Sequence, residues 1–522
     1  MLNDQRPRRV VPRWRSSWVT ATTSEAKPKK TASRPQEVVA KIANEVSAQA
    51  QEFAASESVP VASELMFLAA TVGNIDLAKR AARAIIANSD QIGSRQLILT
   101  AQQVLEGGTR EHVEASSRDF VRRARSLLAI DYANPVLLID AARELTAMQQ
   151  ERAALRYVRA ATALAPKSRF ILRAAVRYYL HIGEHELAHS LLQRSPLLGG
   201  DPWIQAAEVA VSTVRGRTSP LVKRKSRSLA EAKNIEAELS ELASAVATAE
   251  LLSGENKRAK VLFKHALSNP NDNSLAQAEW AATTLKLVVD ERALSIPMSF
   301  EANSHNSYRN MRIEEAIRQA VLWAEDEPFA SRPLQAQCYL HSLEGHYDEA
   351  LRSATKAVEL DGNDLGQRLN LIFCQIQSGH FENLEGEFFR VMQHPDIKRF
   401  AVHYLANAGA LAYAFGDFEK ARNFYQLAIR AAQTRSDPQS EAIARAFFAR
   451  IATAAGDPQA AAIAAEASST VVRLPNPGAI YIVQSLVGAE KGKALERLAL
   501  GRVARQNWHW DALTNTLRLI DQ

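Results

Sequence analysis

Cysteine is almost missing: Cys338 and Cys374 are the two in a chain of 522 residues. A disulfide framework is excluded at that count, and no CxxC pair offers a metal or redox motif. Both fall in helical stretches, on faces we expect to be buried. They read as small buried thiols. A reducing, cytoplasmic location follows as an expectation. No run of about 18 apolar residues occurs, so we expect no membrane-spanning helix and no membrane partner. Glycine (21) and proline (19) are sparse for the length, and the apolar–polar alternation of strands is nearly absent. No P-loop, GxSxG, or GxGxxG following a strand is present. The usual enzyme scaffolds are missing, and we expect neither enzyme activity nor a cofactor.

What the chain does have is charge in one place. Residues 1–36 hold nine Lys and Arg against Asp4 and Glu25, a balance of +7 that equals the balance of the whole chain. The remainder is neutral. Pro7, Pro12, Pro28 and Pro35 interrupt this segment and aliphatics are few, so it cannot meet the entropy cost of folding alone. We read it as a disordered basic arm. Within it Trp14 and Trp18 lie among Arg6, Arg8, Arg9, Arg13 and Arg15. Such a mixture can stack on bases and neutralise phosphate. It also suits a solvated tail, an arm docked on protein, or an Arg- and Ser-rich presequence.

Residues 401–434 organise the rest. Ala408, Gly409 and Ala412 are followed by Ala421 and Ala428, with Gly416 between the two groups and Phe418 and Tyr425 as large plugs. Two antiparallel helices approach closely only where facing side chains are small. The stretch is a helix–turn–helix of about 34 residues and resembles the tetratricopeptide repeat. The register recurs, marked by the inter-helix glycine, at 331–362 (Gly345, Tyr347, Ala350), 365–397 (Gly379, Phe381, Leu384, Phe388) and 442–472 (Ala449, Gly456, Ala461). Earlier it recurs at 59–91 (Gly73), 135–167, 169–200 (Gly183, Ala188) and 240–271 (Gly254, Ala259, Phe263). The resemblance covers about residues 59–472 and implies an all-α, right-handed superhelical solenoid of antiparallel helix pairs. A single pair cannot bury its apolar face, so pairs must stack.

We divide the chain into the arm at 1–36, a solenoid half at 37–330, C-terminal repeats at 331–472, and capping helices at 473–522. A front helix is expected at 37–56 and an irregular pair near 92–106 and 111–130. Residues 215–228, with Lys223, Arg224, Lys225 and Arg227 between Gly216 and Pro220, read as a basic loop. It is either solvated or a contact for phosphates or an acidic partner. A long helix is expected from Leu229 onward. A further pair is expected at 273–289 and 311–326, split by an insertion at 290–310. The end of the chain reads as helices near 478–490, 493–506 and 508–520, with Trp508, Trp510 and Leu513 covering the last face.

His185, Glu186 and His189 form an HExxH pattern, which on a helix places both histidines on one face for zinc, with Glu208 as a distant third ligand. The repeat register already accounts for the stretch: Gly183 is the turn, His185 the plug and Ala188 the packing residue. We therefore assign no metal.

The resemblance implies that ligands bind the concave face, which the first helix of each pair lines. There the register places Arg143, Arg173 and Arg177, which suit a carboxylate or phosphate ligand or else pair with neighbouring acids. In the later repeats it places Asn370, Asn407, Tyr413 and Arg450. The leading expectation is a non-enzymatic scaffold or adaptor that holds protein partners in this groove. The alternatives are a nucleic-acid accessory factor acting through the arm and 215–228, and a peptide-sensing regulator.

Overall fold

The computed structural model describes residues 46–486, apart from 56–58, 72–73, 90–94, 107–116, 131, 233–236 and 297–298. The arm at 1–36, the front of the 37–56 helix, Gly107 and Gly108, and the expected helices at 493–506 and 508–520 with their tryptophans lie outside the described residues. No strand occurs among the described residues. The contacts divide the chain into two compact units. The first comprises the described residues to 303 together with 327–329, and the second comprises 304–326 and 330–486.

In the first unit, helices pair as α1 (Val59–Thr71) with α2 (Ile75–Ala87), and α3 (Arg95–Glu106) precedes α4 (Ser117–Ile130). Then come α5 (Pro135–Ala147) with α6 (Glu151–Leu164), and α7 (Arg169–His181) with α8 (His185–Gln193). α9 (Pro202–Val214) and α10 (Pro220–Glu231) follow, then α11 (Ala237–Leu252) with α12 (Asn256–Ala266). α13 (Asp272–Leu285), a single turn α14 (Glu291–Leu294) and the start of α15 (Phe300–Arg309) complete it.

Local chemistry sets the helix starts. Asn134, Ser168, Asp201 and Ser219 each accept a backbone N–H of the first turn. After Asn134, Asp201 and Ser219 a proline occupies the first helical position, where its missing N–H costs nothing. Asn271 and Ser274 cap α13 reciprocally. First and second helices differ in burial. Trp203 through Ser212 of α9 are all buried, whereas α8 buries only Ala188 and Leu192. The cause is stacking: α7, α9, α11 and α13 touch one another in series as well as their own partners.

The second unit continues with α16 (Ile313–Asp326), α17 (Ser331–Glu344) with α18 (Tyr347–Leu360), and α19 (Leu365–Ser378) with α20 (Leu384–Met392). After a 3-10 turn at Ile397–Phe400 come α21 (Ala401–Ala414) with α22 (Phe418–Thr434), α23 (Pro438–Ala455) with α24 (Ala460–Arg473), and α25 (Pro477–Ser485). Gly345, Gly379, Gly416 and Gly456 sit at the inter-helix turns with φ of 78°, 74°, 75° and 71°, a region that favours glycine. Gly409 is required for a different reason. A Cβ there would lie 2.6 Å from the Tyr425 ring and 3.2 Å from the Ala421 carbonyl oxygen. α25 packs on α23 and α17.

Three expectations need correction. The expected basic loop at 215–228 is largely helix α10. Pro220 opens this helix under the Ser219 cap instead of breaking it, and Leu221, Val222, Ser226 and Leu229 give it a buried face. The long helix expected from Leu229 is two, α10 and α11. The 290–310 stretch is no unstructured insertion. It holds α14 and α15, anchored by Ser299, whose hydroxyl donates to the Leu294 and Ile296 carbonyls at 2.9 and 2.8 Å. Ser304 of α15 donates to the Ala316 carbonyl of α16 at 3.0 Å, joining these two helices.

Candidate binding groove

In the second unit α17, α19, α21 and α23 lie side by side, each touching the next. Between them is a cavity with about 40 Å³ of water-sized room inside about 620 Å³ of atom-free space. Leu369, Phe373, Val402, Ile443 and Phe447 give it an apolar wall. Phe373 meets Phe447 edge to face at 5.1 Å and Tyr347 at 6.1 Å, which fixes the ring orientations.

Three polar atoms interrupt that wall. Asn370 Nδ2, His403 Nδ1 and the Tyr425 hydroxyl are buried and make no hydrogen bond. All three residues line the cavity. A buried polar atom without a partner costs about 1–3 kcal/mol, so three around one space are a standing demand for a partner. Burial lowers the His403 pKa to about 4, so its imidazole is neutral at pH 7. Burial likewise raises the Tyr425 phenol far above its ordinary range. The site is neutral and amphipathic. It suits an apolar side chain carried with a group able to hydrogen-bond, as a peptide segment is.

The residues placed in the groove by register have different fates. Arg173 is fully buried and donates to Glu241 at 2.7 Å and to the Trp203 carbonyl at 3.3 Å. Glu241 also accepts from Asn271 and Asn273 at 2.8 and 3.0 Å. Arg143 pairs with Glu144 at 2.6 Å. Arg177 meets Glu327 at 3.4 Å and covers the Phe329 ring at 4.8 Å. These guanidinium groups are tied into the fold, a correction to their assignment as ligand contacts. Their acids come from three places: Glu144 beside Arg143 on its own helix, Glu241 on α11, and Glu327 just after α16.

Asn407 lines the cavity but donates to the Leu369 carbonyl at 2.8 Å. Tyr413 donates to Asp457 at 2.7 Å, and Arg422 grips the same carboxylate at 2.9 and 3.0 Å. Arg450 donates to the Ser342 and Leu343 carbonyls at 2.9 and 2.7 Å and so closes the end of α17. Asn370 alone of the register-chosen residues brings an unbonded group to the cavity. Sequence reasoning missed His403, Tyr425, Phe373 and Phe447. The signal for part of the wall was the apolar stripe at four-residue spacing, Val402 with Ala406 and Ile443 with Phe447.

The HExxH side chains do not form a metal centre. Glu186 is held by Arg215 at 2.7 Å, which keeps its carboxyl below the usual range. His189 stands 3.8 Å from Glu208, which also accepts from Ser212 and Ser219. Among the described residues no group of three or more metal-binding side chains occurs. On α10, Lys223, Arg224 and Arg227 are exposed, Lys225 is half-buried, and Arg227 pairs with Glu231 at 2.8 Å. Arg6 through Trp18 of the arm lie outside the described residues.

Stacked hairpins with glycine turns, small residues at the helix crossings and aromatic plugs beside them decide the fold. Among the described residues each unit is an all-helical stack of antiparallel hairpins. Neither a protein-family profile nor a curated protein matches the sequence. Among solved structures, yeast Tom70 is similar at 13% identity with a TM-score of 0.27, covering 77% of this chain and 95% of that one. The APC/C hetero-tetramer Cut9-Hcn1 is similar at 13% and 0.31, covering 90% and 98%. The human IFIT1 dimer with PPP-AAAA is similar at 12% and 0.29, covering 88% and 96%. Likeness at these scores transfers no partner or activity to this chain. No helix among the described residues is long and apolar enough to cross a membrane.

Proposed function

We propose that the solenoid is a non-enzymatic interaction scaffold that holds a segment of a partner protein in the groove of its second unit. The observation that carries this reading is the convergence of Asn370 Nδ2, His403 Nδ1 and the Tyr425 hydroxyl on one apolar cavity. A peptide supplies both things this site lacks: an apolar side chain to fill it and backbone groups to bond its polar rim. Filling the cavity tests it. Ala406, half-buried on the wall, is changed to Trp, and a photo-crosslinking amino acid is placed there in a second variant. The crosslinker is expected to capture a partner in the native host, and Ala406→Trp, if folded, to lose that partner. Retention of the partner by folded Ala406→Trp sinks the groove assignment.

A second reading is nucleic-acid association through residues 1–36 and α10. What favours it is the exposure of Lys223, Arg224 and Arg227 on one short helix, together with the concentration of the chain's whole net charge in the arm. A peptide-sensing regulator is the same groove coupled to a change in packing, and it fails if a bound peptide alters no amide protection beyond the groove.

A further inference from the structure

The chain's two cysteines meet in the second unit. Cys338 lies on α17 and Cys374 on α19, and both are buried. Their sulfurs are 3.4 Å apart, within van der Waals contact and closer than unrelated thiols need be. Ser342 holds the pair from one side: its hydroxyl donates to the Cys338 carbonyl at 2.8 Å and lies 4.0 Å from the Cys374 sulfur. Ala350, Ala354 and Leu371 close the other sides. Cys338, unlike Cys374, lines the cavity. The pair therefore has one residue on the cavity wall and one off it.

We infer that Cys338 and Cys374 are an oxidisable pair, which a small hydroperoxide entering through the cavity converts to a disulfide joining two consecutive repeats. The two sulfurs have unequal roles. The contact between the two thiols lowers the Cys338 pKa and holds that of Cys374 well above the ordinary thiol range. Cys338, which lines the cavity, meets the peroxide first and is the nucleophile, while Cys374, off the cavity wall, resolves it. The Cys338 thiolate attacks one peroxide oxygen, the O–O bond breaks, and hydroxide or alkoxide leaves. The Cys374 sulfur then attacks the resulting Cys338 sulfenic acid, its proton leaves with the departing hydroxyl as water, and the S–S bond forms. Two thiols are oxidised by two electrons, and the hydroperoxide is reduced to water and an alcohol, or to two waters. Closure to a disulfide bond length of about 2.0 Å needs the sulfurs to approach by about 1.4 Å.

Any effect of this bond on a bound partner rests on the groove reading above, but the bond itself does not, so its test is chemical. The reduced full-length chain is treated with hydrogen peroxide, quenched with catalase, denatured and alkylated. Mass spectrometry is expected to show both thiols lost, the mass of two hydrogens removed, and a peptide crosslinked between Cys338 and Cys374. The Cys374→Ser variant is expected to accumulate a dimedone-reactive sulfenic acid at Cys338, and Cys338→Ser to leave Cys374 unmodified. Two alkylatable thiols after treatment overturn the proposal. So does oxidation of either cysteine to sulfinic acid without a crosslink, or a bond that forms only between chains. The wild-type measurement needs no variant to fold.

Discussion

The ring of Tyr425 lies flat on that of Phe448, with centroids 4.7 Å apart and planes 8° from parallel. Cδ2 and Cε2 of the same ring crowd the bare backbone of Gly409 on the partner helix α21, so the ring is packed both within its own hairpin and against the next. Its hydroxyl is buried in the cavity and bonds nothing. Tyr425→Phe keeps the stack and removes that hydroxyl. We expect equal or greater stability, by up to about 1 kcal/mol, together with weaker partner binding. Gly409→Ala drives a methyl into the ring and should cost about 1–3 kcal/mol. Thermal denaturation of both variants checks the pair, and a clearly destabilised Tyr425→Phe would show that the hydroxyl has a partner after all.

Arg173 and Glu241 carry the opposite message in the first unit. The pair is fully enclosed, with Asn271 and Asn273 completing the carboxylate's shell. Arg173→Met leaves the buried carboxylate without its counter-charge and is expected to cost about 3–5 kcal/mol. Arg173→Met with Glu241→Leu removes both charges and should recover much of the loss, since a well-packed apolar pair often replaces a buried ion pair. Urea unfolding of the single and double variants gives the coupling. Additive losses would mean that the two side chains do not depend on each other.

How much of this was legible follows from what each residue touches. Gly409 opposite Ala421, and Gly345, Gly379, Gly416 and Gly456 at the turns, were readable because steric demands are local and repeat in the chain. Pro220 misled because proline stops a helix or starts one according to the residue before it, and Ser219 makes it a start. Arg173 and Asn370 were both placed in the groove by register, yet one is locked and the other offers a free donor. That difference depends on Glu241, 68 residues away from Arg173, and no spacing rule reveals such a partner. His403 gave no signal, since its consequence comes from burial by neighbouring helices.

His403 and His181 should make the fold acid-sensitive above the range where carboxylates titrate. Burial lowers each pKa from 6.5 to about 4 in the folded state. The unfolded chain therefore binds more protons between these values, and stability present above about pH 6.5 is lost as pH falls toward 4. His403→Gln removes one of the two groups and should flatten part of this dependence. Urea midpoints across this range at constant ionic strength measure it. An unchanged slope in a folded His403→Gln variant would mean that this imidazole is not held neutral by the fold.

Lys223 and Arg224 offer the sharpest division between the two functional readings. Both are exposed on α10, whose other side packs through Leu221, Val222 and Leu229. Reversing the two to Glu should leave stability within about 0.5 kcal/mol, because exposed positions away from packing tolerate change. If α10 meets phosphates, each lost contact lowers the slope of log affinity against log salt by about 0.9. The double reversal should then flatten the slope for a single-stranded or duplex probe by about 1 to 2, while leaving capture by a crosslinker at Ala406 untouched. An unchanged slope would confine any polyanion binding to residues 1–36. Loss of the groove partner in the same variant would show that α10 and the cavity serve one ligand, which the neutral wall around Asn370 and His403 does not call for.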